Sequence, residues 1–182
     1  MKALGEYILV VDQAIPSELC ERTIRLYDEC DKTIQRDTEV YRFTELNINQ
    51  EASFNECVAQ LQSITQRVHD SYIKNTGSNF LPIEHGYEQH RMKKYEANDK
   101  DQFDWHTDVG DHASAKRYLV MFYYLNTVED GGETLFHIGE IYSVKPKQGR
   151  VVCFPPNFMY PHKGSKPISG PKYIISTYGH YL

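Results

Sequence analysis

Two periodicities divide the chain. Up to about residue 80 the apolar positions recur mainly at helical spacing, and beyond it they run in short stretches bounded by glycine and proline. Tyr7-Ile8-Leu9-Val10-Val11 is a short apolar run that predicts a strand. Pro16-Ser17 predicts a helix start with Ser17 as its cap, Glu18 in the first turn, and Leu19, Cys20, Ile24 and Tyr27 on the apolar side. Residues 37–49 have mixed polarity and suit a strand and a loop. The clearest helix is expected over about 51–76. There Phe54, Val58, Leu61, Thr65, Val68 and Tyr72 recur at helical spacing, and Gly77 fits the stop.

The second half reads as strands. Candidates are Tyr87 to Glu96, Arg117 to Leu125, Glu133 to Phe136 after the Asp130-Gly131-Gly132 turn, Arg150 to Phe154, and Lys172 to Tyr178. Arg117 to Leu125 is apolar nearly throughout, which suits a strand covered on both faces. The expected fold class is α+β: a double-stranded β-helix, or jelly roll, with the N-terminal helices packed on one sheet. One domain over 1–182 is expected, with a helical part over about 1–80 and a jelly-roll core over about 81–182.

Composition narrows the class. A hydrophobic fraction of 40% with 14 Tyr and 8 Phe suits a packed domain and excludes a disordered chain. No apolar run approaches the length of a membrane span, and Met1 to Glu6 has no signal-peptide character. Cys20, Cys30, Cys57 and Cys153 form no CxxC pair and read as reduced thiols, so a cytoplasmic location is expected. Charge is unevenly placed. Residues 1–140 carry 14 Lys+Arg against 25 Asp+Glu, whereas residues 141–182 carry six basic residues and no acidic one. That segment is a solvated basic face or a rim attracting an anionic substrate.

Chemistry concentrates in His106-Thr107-Asp108, with His162 and Lys172 downstream. In a strand, residues two apart point the same way, so His106 and Asp108 can face one ion. Two imidazoles and a carboxylate can hold one face of Fe(II) and leave three positions open. An ordinary exposed pair at a turn is the plain alternative for the two residues alone. Lys172, Ile174, Ser176 and Tyr178 share one face by parity. His85, His90, His112, His137 and His180 have no partner at suitable spacing and read as surface or satisfied histidines. Val109 to Lys116 and Asn98 to Gln102 are polar and suit loops that contact substrate.

In order along the chain, Ile15 to Cys20, Tyr95, His106-Thr107-Asp108, Phe122 to Asn126, Gly131 to Phe136, Pro146 to Arg150, Phe154-Pro155, His162 and Lys172 resemble the blocks of the prolyl 4-hydroxylase-like Fe(II)/2-oxoglutarate-dependent dioxygenases. The resemblance spans nearly the whole chain. It implies that His106, Asp108 and His162 ligate Fe(II) and that Lys172 pairs with the C5 carboxylate of 2-oxoglutarate. Tyr124 would donate a hydrogen bond nearby, and Tyr95 and Thr134 would line the co-substrate pocket. The implied reaction couples O2 and decarboxylation of 2-oxoglutarate to hydroxylation of an unactivated C–H bond, with ascorbate as reductant. Asp108 favours hydroxylation, because related halogenases lack that ligand. The implied substrate is a peptidyl proline. The same mechanism on a small molecule, amino acid or nucleobase, a non-enzymatic metal-binding module, and a zinc hydrolase are the alternatives. A peptide or protein partner is expected, with no membrane and no nucleic acid, since no basic-aromatic stripe appears. Oligomeric state is left open.

Overall fold

The computed structural model describes residues 4–182, so the reading of Met1 to Ala3 falls outside the described residues. A 3-10 turn over Leu4–Tyr7 leads into β1 (Leu9–Val11). Then follow α1 (Ser17–Asp28), β2 (Ile34–Asp37), β3 (Tyr41–Asn47), α2 (Asn55–Thr76), β4 (His85–Tyr87), β5 (Arg91–Tyr95) and β6 (Gln102–His106). The remainder is strand and turn: β7 (Arg117–Tyr124), β8 (Thr134–His137), β9 (Ile141–Val144), β10 (Val151–Phe154), β11 (His162–Gly164) and β12 (Lys172–Tyr181).

All pairings among the described residues are antiparallel. The strand order is β1-β10-β7-β12-β5-β3-β6-β11-β8-β9, with β2 on β3 and β4 on β12. This is a nearly closed jelly roll with the two helices outside it.

Strand parity explains the core. Met121 and Tyr123 of β7 and Ile175 of β12 face the helices, where Leu19, Tyr27, Phe54, Leu61, Val68 and Tyr72 meet them. Val120, Phe122 and Tyr124 face the interior of the roll with Phe43, Tyr95, Phe136, Phe154, Ile174 and Tyr178. A strand between two apolar layers needs apolar residues at both parities, hence the unbroken run in β7.

Local chemistry sets the helix ends. Pro16, not Ser17, occupies the cap position of α1, with φ −58° and ψ 142° and no side-chain cap. Its carbonyl accepts the Cys20 N–H at 3.1 Å, so Ser17 is already the first helical residue. α2 starts at Asn55, because Ala52–Phe54 forms a 3-10 turn ahead of it. It ends at Gly77, whose φ of +67° suits a residue without Cβ.

Two features of the sheet bear on the site. Tyr87 to Glu96 is two strands, β4 and β5, both paired with the long β12. The N-terminal half supplies β3, which lies between β5 and β6 in the middle of the sheet. The basic segment does not stay separate in space. Arg150 and Lys147 meet Asp12 at 2.6 and 3.8 Å, Lys163 meets Asp104 at 3.0 Å, and Lys166 donates to the Asp99 carbonyl.

Candidate active site

His106 is the last residue of β6 and His162 the first of β11, and the two are direct cross-strand partners. His162 thus lies on a short strand held between β6 and β8. Asp108 lies two residues past β6, where its N–H donates to the Pro156 carbonyl at 3.1 Å. One ligand-capable atom from each of the three lies within 4.8 Å of the others. His106 Nε2 is 3.8 Å from Asp108 Oδ1, and His162 Nε2 is 3.4 Å from Asp108 Oδ2.

Hydrogen bonds behind the rings set their orientation. His106 Nδ1 lies 2.7 Å from the Asp104 carbonyl, and His162 Nδ1 lies 3.1 Å from the Tyr160 carbonyl. A carbonyl only accepts, so each Nδ1 carries the proton and each Nε2 presents a lone pair. Burial pushes the His106 pKa down to about 4, helped by the neighbouring His162, and burial lowers that of His162 as well. Both rings are therefore neutral, the form that binds a metal. His106 Nε2, His162 Nε2 and Asp108 Oδ2 are buried and have no hydrogen-bond partner. Three converging orphan acceptors are costly in a dry pocket unless a cation joins them. The residues fit a divalent metal with two His and one carboxylate on one face.

The surroundings hold this constellation. Tyr178 donates to Asp108 Oδ1 at 3.0 Å. The Arg117 guanidinium lies 3.9 Å from the centre of the Tyr178 ring and donates to the Asp108 carbonyl at 3.1 Å. Arg117 is itself clamped by both carboxylate oxygens of Glu88. Phe103 stacks on His106 with centroids 3.5 Å apart, and Phe154 packs edge-on to His162 at 4.8 Å.

A small cavity opens from the three residues into the roll. Lys93, Tyr95, Phe103, Phe122, Thr134 and Lys172 are among its lining. Lys172 is 1% exposed, donates to the Gly132 carbonyl at 2.9 Å, and lies 4.7 Å from the centre of the Tyr95 ring. Burial pushes its pKa down to about 7. Gly132 takes φ +74°, and the turn it makes with Gly131 brings that carbonyl to the ammonium. Thr134 lines the cavity, whereas Tyr124 does not; the Tyr124 hydroxyl donates to Thr134 Oγ1 at 2.6 Å.

The other histidines lie apart from this cluster. His90 is buried against Thr65, and burial lowers its pKa to about 4. His85 contacts the Tyr87 hydroxyl, and His137 packs beside Trp105. Lys93 was not singled out from the sequence. The available signal was its place two residues before Tyr95, which puts both on one face of β5.

Comparison with known proteins identifies the family and the fold. The family model for the 2OG-Fe(II) oxygenase superfamily matches residues 90–180, half of the chain. No curated protein matches the chain in sequence. Solved structures share the fold. A viral collagen prolyl hydroxylase from Paramecium Bursaria Chlorella virus-1, in a 2OG complex, superposes with a TM-score of 0.75 at 18% identity, covering 98% of both chains. A Trichoplax adhaerens prolyl hydroxylase, in complex with a hypoxia inducible factor peptide fragment, reaches 0.78 at 16% identity, covering 96% of this chain and 84% of the other. A Pseudomonas putida prolyl-4-hydroxylase reaches 0.68 at 15% identity, covering 97% and 94%. Through the match over residues 90–180, the chain belongs to the 2OG-Fe(II) oxygenase superfamily, a family of Fe(II)-, 2-oxoglutarate- and O2-dependent enzymes.

Proposed function

We propose that this chain, acting over its whole length as one oxygenase domain, hydroxylates peptidyl proline, with His106, Asp108 and His162 holding the iron and Lys172 anchoring 2-oxoglutarate. The observation that carries this reading is the convergence of three buried, unpartnered ligand atoms on a cavity that a buried lysine also lines. The prolyl hydroxylases among the structural neighbours, one of them with a bound peptide, support the substrate class.

When bound, Fe(II) with 2-oxoglutarate supplies O2 activation coupled to loss of CO2. The chain's own residues do the rest. The Nδ1 hydrogen bonds of His106 and His162 keep each Nε2 lone pair aimed at one point. Tyr178 holds one Asp108 oxygen and leaves the other to the ion. Lys172 provides a charge for the far carboxylate, and Thr134, braced by Tyr124, offers a hydroxyl beside it. Phe103, Phe122 and Phe154 exclude water around the reacting centre. The loops Val109 to Lys116 and Asn98 to Gln102 contact the substrate. Ascorbate keeps the iron reduced, and the cytoplasm, where the four thiols stay reduced, is the compartment. Among the described residues no helix is long and apolar enough to cross a membrane.

The test is succinate formation by the purified protein with Fe(II), ascorbate, 2-oxoglutarate and O2, with and without a proline-rich peptide. Succinate that rises with the peptide, and a peptide heavier by one oxygen, is the expected result. Slow succinate release that ignores the peptide keeps the oxygenase and rejects the peptidyl substrate.

A further inference from the structure

The cavity holds a second buried lysine that the proposed chemistry does not use. Lys93 is 8% exposed and lines the same cavity as the His-Asp-His cluster and Lys172. In the β5–β12 ladder it pairs with Ile174, one inward-facing step beyond the Tyr95–Lys172 pair. Further along β12 on the same face comes Tyr178, the Asp108 partner. Lys93 thus sits between the co-substrate anchor and the metal ligands.

Its ammonium makes no hydrogen bond or ion pair among the described residues. It lies 5.2 Å from the centre of the Phe43 ring and 5.9 Å from that of Phe103, and ring faces do not satisfy three N–H donors. The acidic groups that act on it are Asp108 and Glu45, and the basic ones are Arg91, Arg117 and Lys172. Asp108 belongs to the ligand cluster. Glu45, directly across the ladder, is already paired with Arg36 at 3.2 Å and Arg91 at 4.0 Å.

Charge balance then points outward. A divalent ion, one aspartate, a charged Lys172 and a dicarboxylate sum to zero. Burial lowers the Lys93 pKa, because an unpaired charge is costly in a low-dielectric pocket, and a further carboxylate beside it would restore the ammonium and satisfy its N–H donors. We propose that Lys93 is a substrate-binding residue that takes a carboxylate of the hydroxylated substrate beside the metal centre. This inference rests on the cavity being the catalytic site. The carboxylate has two sources, the acidic side chain or C-terminus of a peptide, and a free amino acid.

The test uses the intact protein loaded with Mn(II) and 2-oxoglutarate, with acetate as the carboxylate probe and acetamide as its neutral counterpart, read by isothermal titration. Acetate binding to the wild type, no acetamide binding, and at least about tenfold weaker acetate binding in Lys93→Met with 2-oxoglutarate affinity unchanged are expected. Lys93→Gln serves as a second variant without charge, and Lys93→Arg should keep acetate binding. Equal acetate affinity in the wild type and Lys93→Met, or no acetate binding at all, overturns the proposal. A loss of 2-oxoglutarate affinity in Lys93→Met also overturns it, by assigning Lys93 to the co-substrate. Failure of wild-type protein to bind Mn(II) and 2-oxoglutarate removes the site assignment itself, a result separable from the others. Titration of free proline against a proline peptide carrying a neighbouring glutamate or glutamine then distinguishes the two carboxylate sources.

Discussion

The Tyr178 hydroxyl donates a 3.0 Å hydrogen bond to Asp108 Oδ1, while Asp108 Oδ2 is buried and unpartnered. One oxygen is held and the other is left for a cation. The pair joins β12 to the segment after β6, 70 residues apart in sequence.

Removing that hydroxyl should loosen Asp108 without unfolding the roll, since the Tyr178 ring stays packed under Arg117. Tyr178→Phe is expected to weaken metal affinity by roughly ten- to a hundredfold, the usual effect of losing a partner behind a ligand. Titration with Mn(II) checks this. Unchanged affinity would mean that backbone contacts alone orient Asp108.

Asp108→Ala takes away a ligand outright. Succinate formation should fall by more than about a hundredfold, and stoichiometric metal binding should be lost. The melting temperature of the metal-free variant should change little, because deleting the unpartnered Oδ2 removes a cost while losing the Tyr178 hydrogen bond to Oδ1 adds one. Wild-type turnover in this variant would sink the ligand assignment.

Lys172 makes a pH prediction. Burial lowers its pKa from 10.5 to about 7 in the protein without co-substrate. Between those values the unfolded chain binds more protons than the folded one, so this group makes stability rise with pH across that window. Below about 7 both states are protonated and the burial penalty is fully present. A bound carboxylate restores the charge, so 2-oxoglutarate should take up a proton on binding above about pH 7. Calorimetry in buffers of different ionisation enthalpy reads that proton. Lys172→Met should abolish the uptake and raise the 2-oxoglutarate Kd by about a hundredfold. If proton uptake persists in the variant, another group carries it.

The interface between α2 and the roll can be tested apart from the chemistry. Leu61 is fully buried in the cluster that includes Met121, Tyr123 and Ile175. Leu61→Ala should destabilise by about 2–5 kcal/mol through lost burial and a cavity. Denaturant unfolding measures it, and metal affinity of the folded fraction should be unchanged.

How legible each part was follows from the range of the forces that made it. α2 and its stop at Gly77 could be read because helical spacing and a left-handed cap are properties of neighbouring residues. β7 announced itself by an unbroken apolar run, and the common face of Lys172 and Tyr178 on β12 by parity. β2 and β9 carried no such sign. Every residue of β2 is exposed, and the strand exists because β3 lies beside it in register from Ile34–Glu45 to Asp37–Arg42. β9 is likewise formed by its pairing with β8.

The sequence by itself determined the helix periodicity, the shared parity of Lys172 and Tyr178, and the order of chemically distinctive residues, since these depend on spacing along one strand or helix. Tertiary structure alone decided that His162 faces His106 across β6 and β11, and that Tyr124 spends its hydroxyl on Thr134. It also decided that Tyr178 reaches Asp108 and that Lys93 enters the cavity without a partner. Those outcomes turn on register between strands far apart in the chain. A slip of one residue would send each side chain to the opposite face, and which distant strands meet is settled only when the sheet assembles.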